Sequence, residues 1–519
     1  MHIYHSPRGG LEVPIGTITD WLFEGLSARS DATVFTDGPS GRSYSGAQMI
    51  DMIRKLAGGL TAHGFGAGKT VAIMAPNLPE YCAVFHGVAY AGGTVTTLNP
   101  TYTSDEVRQQ LLDSGAELLV TVSPFLDTAH EGARGTGIRE IAVIGEAPGD
   151  GPALPLSTLL GEPLANQVPV DPATHIVALP YSSGTTGLPK GVMLTHRNLI
   201  ANFEQVRGVI EVRPGETSIA VLPFFHIYAL TILMNFFPGV GGTVVTMPRF
   251  DMETFLKLTE QYKARQLYVV PPIILGLTQH PLVAEHDLSS LEMLVSAAAP
   301  LGVDPTQAAS ERLGCAVVQG YGMTELSPVS HFSDAQNHRD GAVGQSVAGT
   351  ECRIIDVETG QDAAPGAPGE VWVRGAQVMA GYLGRPDATI ETMEGDWLRT
   401  GDLGRIDEDG YLFILDRIKE LIKVKGFAVA PAELEAVLLA HPSVGDAAVI
   451  GMPDDEAGEL PAAYLVPAPG AAIDPANIRA HMDEHLAHYK QLGHIEIVES
   501  IPKSASGKIL RRLLRDKAA

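Results

Sequence analysis

The sequence predicts an α/β fold with a large N-terminal domain of layered α/β subdomains. That domain ends in a small antiparallel β-barrel or sheet, and a small C-terminal α/β domain follows. Three observations predict this. Between about residues 45 and 330, short apolar runs alternate with longer helical patterns. After residue 340 the runs are shorter and separated by Gly, Pro and Asp. Past residue 418 strand and helix patterns resume. At 519 residues the chain exceeds what one hydrophobic core can fill, so at least two domains are expected.

The apolar runs are "TVAIMA" (70–75), "ELLVTV" (117–122), "ETSIAVLP" (216–223), "GTVVTM" (242–247), "QLYVVP" (266–271) and "EMLVSAAA" (292–299). Most are near-continuous Val, Ile and Leu, the pattern of strands buried on both faces in parallel sheets. Between them, residues 45–64 carry apolar side chains at three- and four-residue spacing and end in glycine, which predicts a helix. In "RIDEDGYLFILDR" (405–417), Asp409-Gly410 separates two alternating runs and predicts a hairpin. "APAELEAVLLAHP" begins a helix at Pro431, and Asp474 caps a second helix in "DPANIRAHMDEHLAHYK". "VGDAAVIGMP", "PAAYLVPA" and "HIEIVESIP" read as strands. The domain boundary is expected near 417–419, giving domains 1–417 and 418–519.

A formal charge of −24 argues against a general nucleic-acid or anionic-membrane binder, because phosphate would be repelled. Three scattered cysteines, Cys82, Cys315 and Cys352, show no metal spacing and suit a reducing compartment. The N-terminus lacks the order of a signal peptide, no run of 18 apolar residues occurs, and "LRDKAA" is not a peroxisomal address. A cytoplasmic protein, monomeric or weakly dimeric, is expected.

"YSSGTTGLPKG" (181–191) sets hydroxyls and glycines around one lysine, after the apolar run "HIVALPY" and before a helix that Thr195 can cap. Such a loop suits phosphate: glycines allow close backbone approach, while hydroxyls, N–H groups and lysine face the oxyanion. A surface turn has similar composition. Neither the Walker G-x-x-x-x-G-K-[ST] nor a Rossmann G-x-G-x-x-G is present here.

"SSGTTGLPKGV" resembles the signature of the adenylate-forming superfamily of acyl-CoA synthetases, adenylation domains and luciferases. In the family's order follow "PFFHIYAL" (223–230), "QGYGMTE" (319–325), "TGDLG" (400–404), "DRIKELIKVKGFAVAPAELE" (416–435) and "PKSASGKILRR" (502–512). The wording is most similar to 4-coumarate:CoA ligases and related aryl or cinnamoyl-CoA ligases. The resemblance implies two steps. A carboxylate attacks the α-phosphorus of ATP and expels pyrophosphate; coenzyme A thiol then displaces AMP from the acyl-adenylate. The implied co-substrates and metal are ATP, coenzyme A and Mg²⁺.

By resemblance, Ser182, Ser183, Gly184, Thr185, Thr186 and Lys190 would hold the β- and γ-phosphates on a mobile loop hinged at Gly184 and Gly191. Gln319, Gly320 and Tyr321 would frame adenine, Thr324 would touch phosphate, and Glu325 would bind Mg²⁺. Asp402, supported by Arg417, would accept the ribose hydroxyls. His226 would sit at the carboxylate end of the acyl pocket, with Tyr228, Ala297, Ala298, Gly322 and Met323 along it. Lys508 would neutralise charge as the adenylate forms. In the second step Lys423 would approach the adenylate, while Lys425, Gly426 and Arg249 would meet coenzyme A. Lys508 and Lys423 cannot serve at once, so a mobile C-terminal domain turning at Lys419 is implied. The basic tail, which alone could suggest a nucleic-acid or membrane contact, is assigned to this machinery.

The acid is expected to be aromatic, of the cinnamate or 4-coumarate type, because small and apolar residues would form a narrow slot. A medium-chain fatty acid also suits such a slot. An amino acid is disfavoured, since "PFFHIYAL" offers no aspartate for an α-amino group. Two departures from plant 4-coumarate ligases loosen the substrate assignment: Trp372 in "GEVWVRG" replaces cysteine, and Arg249 replaces lysine. Rival readings are a carrier-protein-loading adenylase, a luciferase-type side activity and a catalytically idle nucleotide sensor.

Overall fold

The computed structural model describes all residues except 1, 147–150, 152, 183–188, 426, 455, 505–506 and 519. The long apolar runs form three sheets. The largest has eight strands in the order Gly381–Tyr382, Lys190–Thr195, Ile176–Ser182, Thr94–Thr97, Thr70–Met74, Ala116–Val122, Glu140–Ile144 and Leu154–Pro155. From Ile176–Ser182 onward every pairing is parallel. A second sheet pairs Thr217–Ala220, Thr243–Thr246 and Thr33–Asp37 in parallel, with Ser43–Ser45 antiparallel at its edge. The third runs Gln266–Val269, Met293–Ser296 and Ala316–Gly322 in parallel, then turns back through Val329–Phe332 and Gln345–Ser346. The runs read as doubly buried strands are buried, as parallel sheets covered by helices require.

Local chemistry sets the helix ends. Ser45 and Gln48 form a reciprocal capping box on Gly46–Ala62, and Thr195 with Asn198 does the same on His196–Arg207. Asp474 caps Pro475–His485 through the N–H of Ala476. That helix ends at His485, short of Lys490, where His488–Lys490 forms a separate 3₁₀ turn.

After residue 340 five strands join the N-terminal Tyr4–His5 in a six-stranded antiparallel sheet, centred on Gly369–Arg374 and Trp397–Ile406, with Asp409-Gly410 turning into Leu412–Arg417. Of the two forms expected, barrel or sheet, the hydrogen bonding follows an open path. Beyond it lies a five-stranded sheet of Phe427–Val429, Ile422–Val424, Gly458–Pro467, Val444–Asp454 and His494–Ile497, with helices Pro431–Leu439, Pro475–His485 and Arg511–Ala518. Its apolar residues form clusters of their own between Ile422 and Leu514, separate from the core that spans Ile18 to Leu412. The basic tail is committed internally: Arg511 donates to both Glu435 oxygens at 2.7 and 2.8 Å, and Arg515 pairs with Glu420.

Three histidines are buried and His226 is half-buried, and desolvation holds each well below the ordinary imidazole range: His86 to about 4, and His196, His226 and His331 to about 3. The unfolded chain takes up these protons near pH 6.5, whereas the folded chain does not until pH 3–4. Their contribution is therefore present above about pH 6.5 and is lost as pH falls toward 4, at about 1.4 kcal/mol per pH unit for each group. Asp416 and Glu435, whose carboxyl pKa values burial raises, act in the opposite sense at the acid end. Thermal midpoints at pH 7.5, 6.5 and 5.5 should fall steeply below 6.5; a flat profile would remove these histidines from the account.

Candidate active site

The C-terminal end of Ala316–Gly322, the natural ligand side of a parallel strand, faces the start of a helix at Ile227 and the loop carrying Lys508. Between them opens a cavity of about 580 Å³ of non-atom space, its mouth included. Lys508, His226, Tyr228 and Thr324 line it, as do Ala297, Ala298, Gly320, Tyr321, Gly322 and Met323. Ten residues from four segments predicted to form the site thus share one cavity.

His226 caps the helix beginning at Ile227: its Nδ1 accepts from the Tyr228 N–H at 3.3 Å. The proton of the neutral ring is therefore assigned to Nε2. Burial is the main cause of its low pKa, with the Lys508 charge adding to it. Lys508 sits on a tight turn. Ser504 N–H donates to the Lys508 carbonyl at 2.8 Å, and Gly507 adopts φ +79° against Val270 and Pro272. Desolvation and nearby Arg417 lower the Lys508 pKa, while Asp402 and Glu325 oppose that shift.

Asp402 is 3% exposed. It accepts from the Tyr321 hydroxyl at 2.6 Å and from Arg417 Nε at 2.6 Å. Glu325, 4% exposed, lies on the short 3₁₀ turn Thr324–Leu326 and accepts from Ser182 Oγ at 2.9 Å and the Tyr382 hydroxyl at 2.8 Å. Lys190 places its Nζ 4.8 Å from the centre of the Tyr382 ring. Among the described residues no group of three His, Cys, Asp or Glu side chains gathers to hold a metal. One buried carboxylate nevertheless fits Mg²⁺, which takes its remaining oxygens from phosphate and water.

Other predicted residues lie elsewhere. Gln319 is buried with its amide spent on the Leu301 backbone, at 3.3 and 3.2 Å, and does not line the cavity. Lys423, Lys425, Lys419 and Arg249 are exposed and outside the cavity; Lys425 approaches Glu456 at 3.3 Å. Ser183, Gly184, Thr185, Thr186 and Gly426 fall outside the described residues. Gly191, expected as a loop hinge, is a strand residue paired with Tyr181, and a Cβ there would crowd that ring at 3.1 Å.

Gly322 also differs from its expected use as free space. A Cβ there would meet the Pro328 carbonyl oxygen at 1.8 Å, so glycine is required by backbone contact between Ala316–Gly322 and the returning chain. Gly322→Ala is expected to lower the thermal midpoint together with activity on every acid; a stable variant with altered acid preference would contradict this. Ala298, on the cavity lining, and Ser327, beside the lining residue Pro328, hold φ +72° and +70°, left-handed values uncommon without glycine.

Sequence reasoning missed Ile210, Ile232, Tyr268, Val295 and Phe332 as cavity walls, and Tyr382 as a partner of Glu325. Apolar runs carry no mark telling a pocket wall from a core side chain. Tyr382 sits in a two-residue strand without a distinctive local pattern.

Comparison with known proteins agrees with this architecture. The AMP-binding enzyme family matches residues 22–383, and its C-terminal domain matches 433–508. The chain is 39% identical over 524 residues to 4-coumarate--CoA ligase 5 of Oryza sativa subsp. japonica, covering 96% of this chain and 94% of that protein. It is 40% identical over 512 residues to 4-coumarate--CoA ligase 2 of Petroselinum crispum, covering 96% and 93%. The crystal structure of the anthranilate CoA ligase AuaEII with anthranoyl-AMP superposes with a TM-score of 0.90 at 28% identity, covering 98% of each chain.

Proposed function

The chain belongs to the AMP-binding, adenylate-forming enzyme family and is an AMP-forming acid:CoA ligase that uses ATP, Mg²⁺ and coenzyme A, and from that premise we propose that its acid is an aryl or cinnamate-type carboxylate. The observation that carries this is the cavity: apolar along its length, with Lys508, His226 and Thr324 on its lining and Asp402, Arg417 and Glu325 in electrostatic reach of Lys508. A flat ring on an apolar linker fills such a space at little entropic cost. Relatives named for 4-coumarate and a neighbour solved with anthranoyl-AMP support the aromatic choice.

In the first step, an acid oxygen bonds to the α-phosphorus while the α–β bridging bond breaks. His226 Nε2–H donates to the incoming carboxylate, and Lys508 spans the charge between carboxylate and phosphate. Thr324 contacts the α-phosphate, Ser182 to Thr186 and Lys190 hold the outer phosphates, and Gly320 and Tyr321 face adenine. Asp402 accepts the ribose hydroxyls, kept ionised and aimed by Arg417 and Tyr321. Glu325 would hold Mg²⁺, which, when bound, offsets phosphate charge.

In the second step, coenzyme A sulfur bonds to the acyl carbon, the acyl–phosphate bond breaks, AMP leaves and the thiol proton is released. Domains 1–417 and 418–519, with Lys419 as hinge, would turn to exchange Lys508 for Lys423 while Lys425, Gly426 and Arg249 bind coenzyme A. The separate cores on either side of Ile418–Glu420 support that division. Lys423→Ala should slow thioester formation from supplied acyl-adenylate by about tenfold or more, the worth of one charged hydrogen bond. An unchanged thioester rate would remove its role.

The test is pyrophosphate release with ATP and Mg²⁺ across cinnamate, 4-coumarate, benzoate, octanoate and phenylalanine, with the mass of the coenzyme A product recorded. Thioesters from the aromatic acids are expected. Turnover of octanoate alone would keep the ligase and discard the aromatic acid.

A further inference from the structure

The polar side chains of the cavity are unevenly spread. His226 starts a helix that runs through a π-helical stretch, Leu230–Phe236. Ile232 lies six residues beyond His226, roughly 9 Å along a helix at 1.5 Å per residue, and still lines the cavity. Away from Lys508, His226 and Thr324 the lining is apolar or aromatic, with Ile210, Ile232, Tyr268, Val295, Val329 and Phe332 among it, all buried. The two tyrosine protons along this wall are committed: Tyr268 donates to Gln266 Oε1 at 3.0 Å and Tyr228 to the Val295 carbonyl at 3.2 Å. Among the described residues, then, this end presents no free side-chain donor, and its only side-chain acceptors are two tyrosine oxygens already acting as donors.

A substrate hydroxyl at that end would leave water and recover at best one hydrogen bond. An apolar pocket faced with an added hydroxyl typically discriminates by about 10- to 100-fold. We propose that the acid carries no hydrogen-bonding group at the end remote from its carboxylate, and that Ile232 is the residue setting this preference. The inference rests on the acid-binding role given above to the His226 cavity, and it narrows the substrate class to acids with a bare terminal ring or alkyl end.

The experiment compares kcat/KM for pyrophosphate release on cinnamate, 4-methylcinnamate and 4-coumarate. Wild type should favour the first two over 4-coumarate by about 10- to 100-fold. Ile232→Thr, the isostere of valine with one hydroxyl, should narrow that ratio at least several-fold while KM for ATP stays put. Ile232→Val, which stays apolar, should keep the wild-type order and so guards against a simple packing effect. Equal or better turnover of 4-coumarate by wild type overturns the inference and leaves the aromatic ligase intact. If only octanoate reacts, the aromatic reading fails instead. Octanoate against 8-hydroxyoctanoate then decides the bare-end inference, which is overturned by equal rates.

Discussion

Lys508→Ala is expected to lower acid-dependent pyrophosphate release by about 10²–10³-fold, the usual cost of losing one preorganised group that stabilises developing charge. Lys508 is half-buried, its backbone tied to Ser504 and the preceding Gly507 docked on Val270 and Pro272, so its side chain starts from a fixed point on the cavity lining. It shares the field of Asp402, Glu325 and Arg417, and its charge helps keep His226 neutral. Removing it would strip the cation proposed for the acid–phosphate junction and relax the downward pressure on the His226 pKa. Thioester formation from supplied acyl-adenylate should remain at the wild-type rate if, as proposed, Lys508 serves only the first orientation of the C-terminal domain. Parallel losses in both half-reactions would contradict the alternation of Lys508 and Lys423.

Glu325→Gln should reduce adenylation by about 10²-fold at ordinary Mg²⁺ and raise the Mg²⁺ concentration needed for half-maximal rate. The carboxylate is 4% exposed and already accepts from Ser182 and Tyr382, so the glutamine variant keeps the shape while losing the charge that a hard cation requires. Tyr382→Phe would remove one of those donors and is expected to cost much less, since the carboxylate itself stays. Titrating Mg²⁺ against the initial rate of pyrophosphate release distinguishes the outcomes. An unshifted Mg²⁺ dependence in Glu325→Gln would move the metal role elsewhere.

Much of the fold was legible because burial on both faces demands near-continuous apolar strands. Runs such as "TVAIMA" and "EMLVSAAA" became parallel strands at Thr70–Met74 and Met293–Ser296. Helix ends were legible where a side chain closes the first turn, as Thr195 and Asp474 do. The division of those strands among three sheets was not, because apolar pattern records burial and not partner. Gln319 shows the same limit within the site: its position beside Gly320 was read from the motif, yet its amide is held by Leu301, a contact set by the chain's path.

By itself, then, the sequence determined the reaction class through its resemblance to the adenylate-forming family, since the hydroxyl-rich loop, the Asp402 turn and the two separated lysines are short contiguous motifs that can be matched without the fold. Tertiary structure alone decided the shape and polarity of the acyl cavity. Its walls come from Ile210, Ile232, Tyr268 and Phe332, drawn from distant segments whose local patterns match those of ordinary core. Only the packing of the helix after His226 against the sheet ending at Gly322 turned some of those core residues into a binding surface.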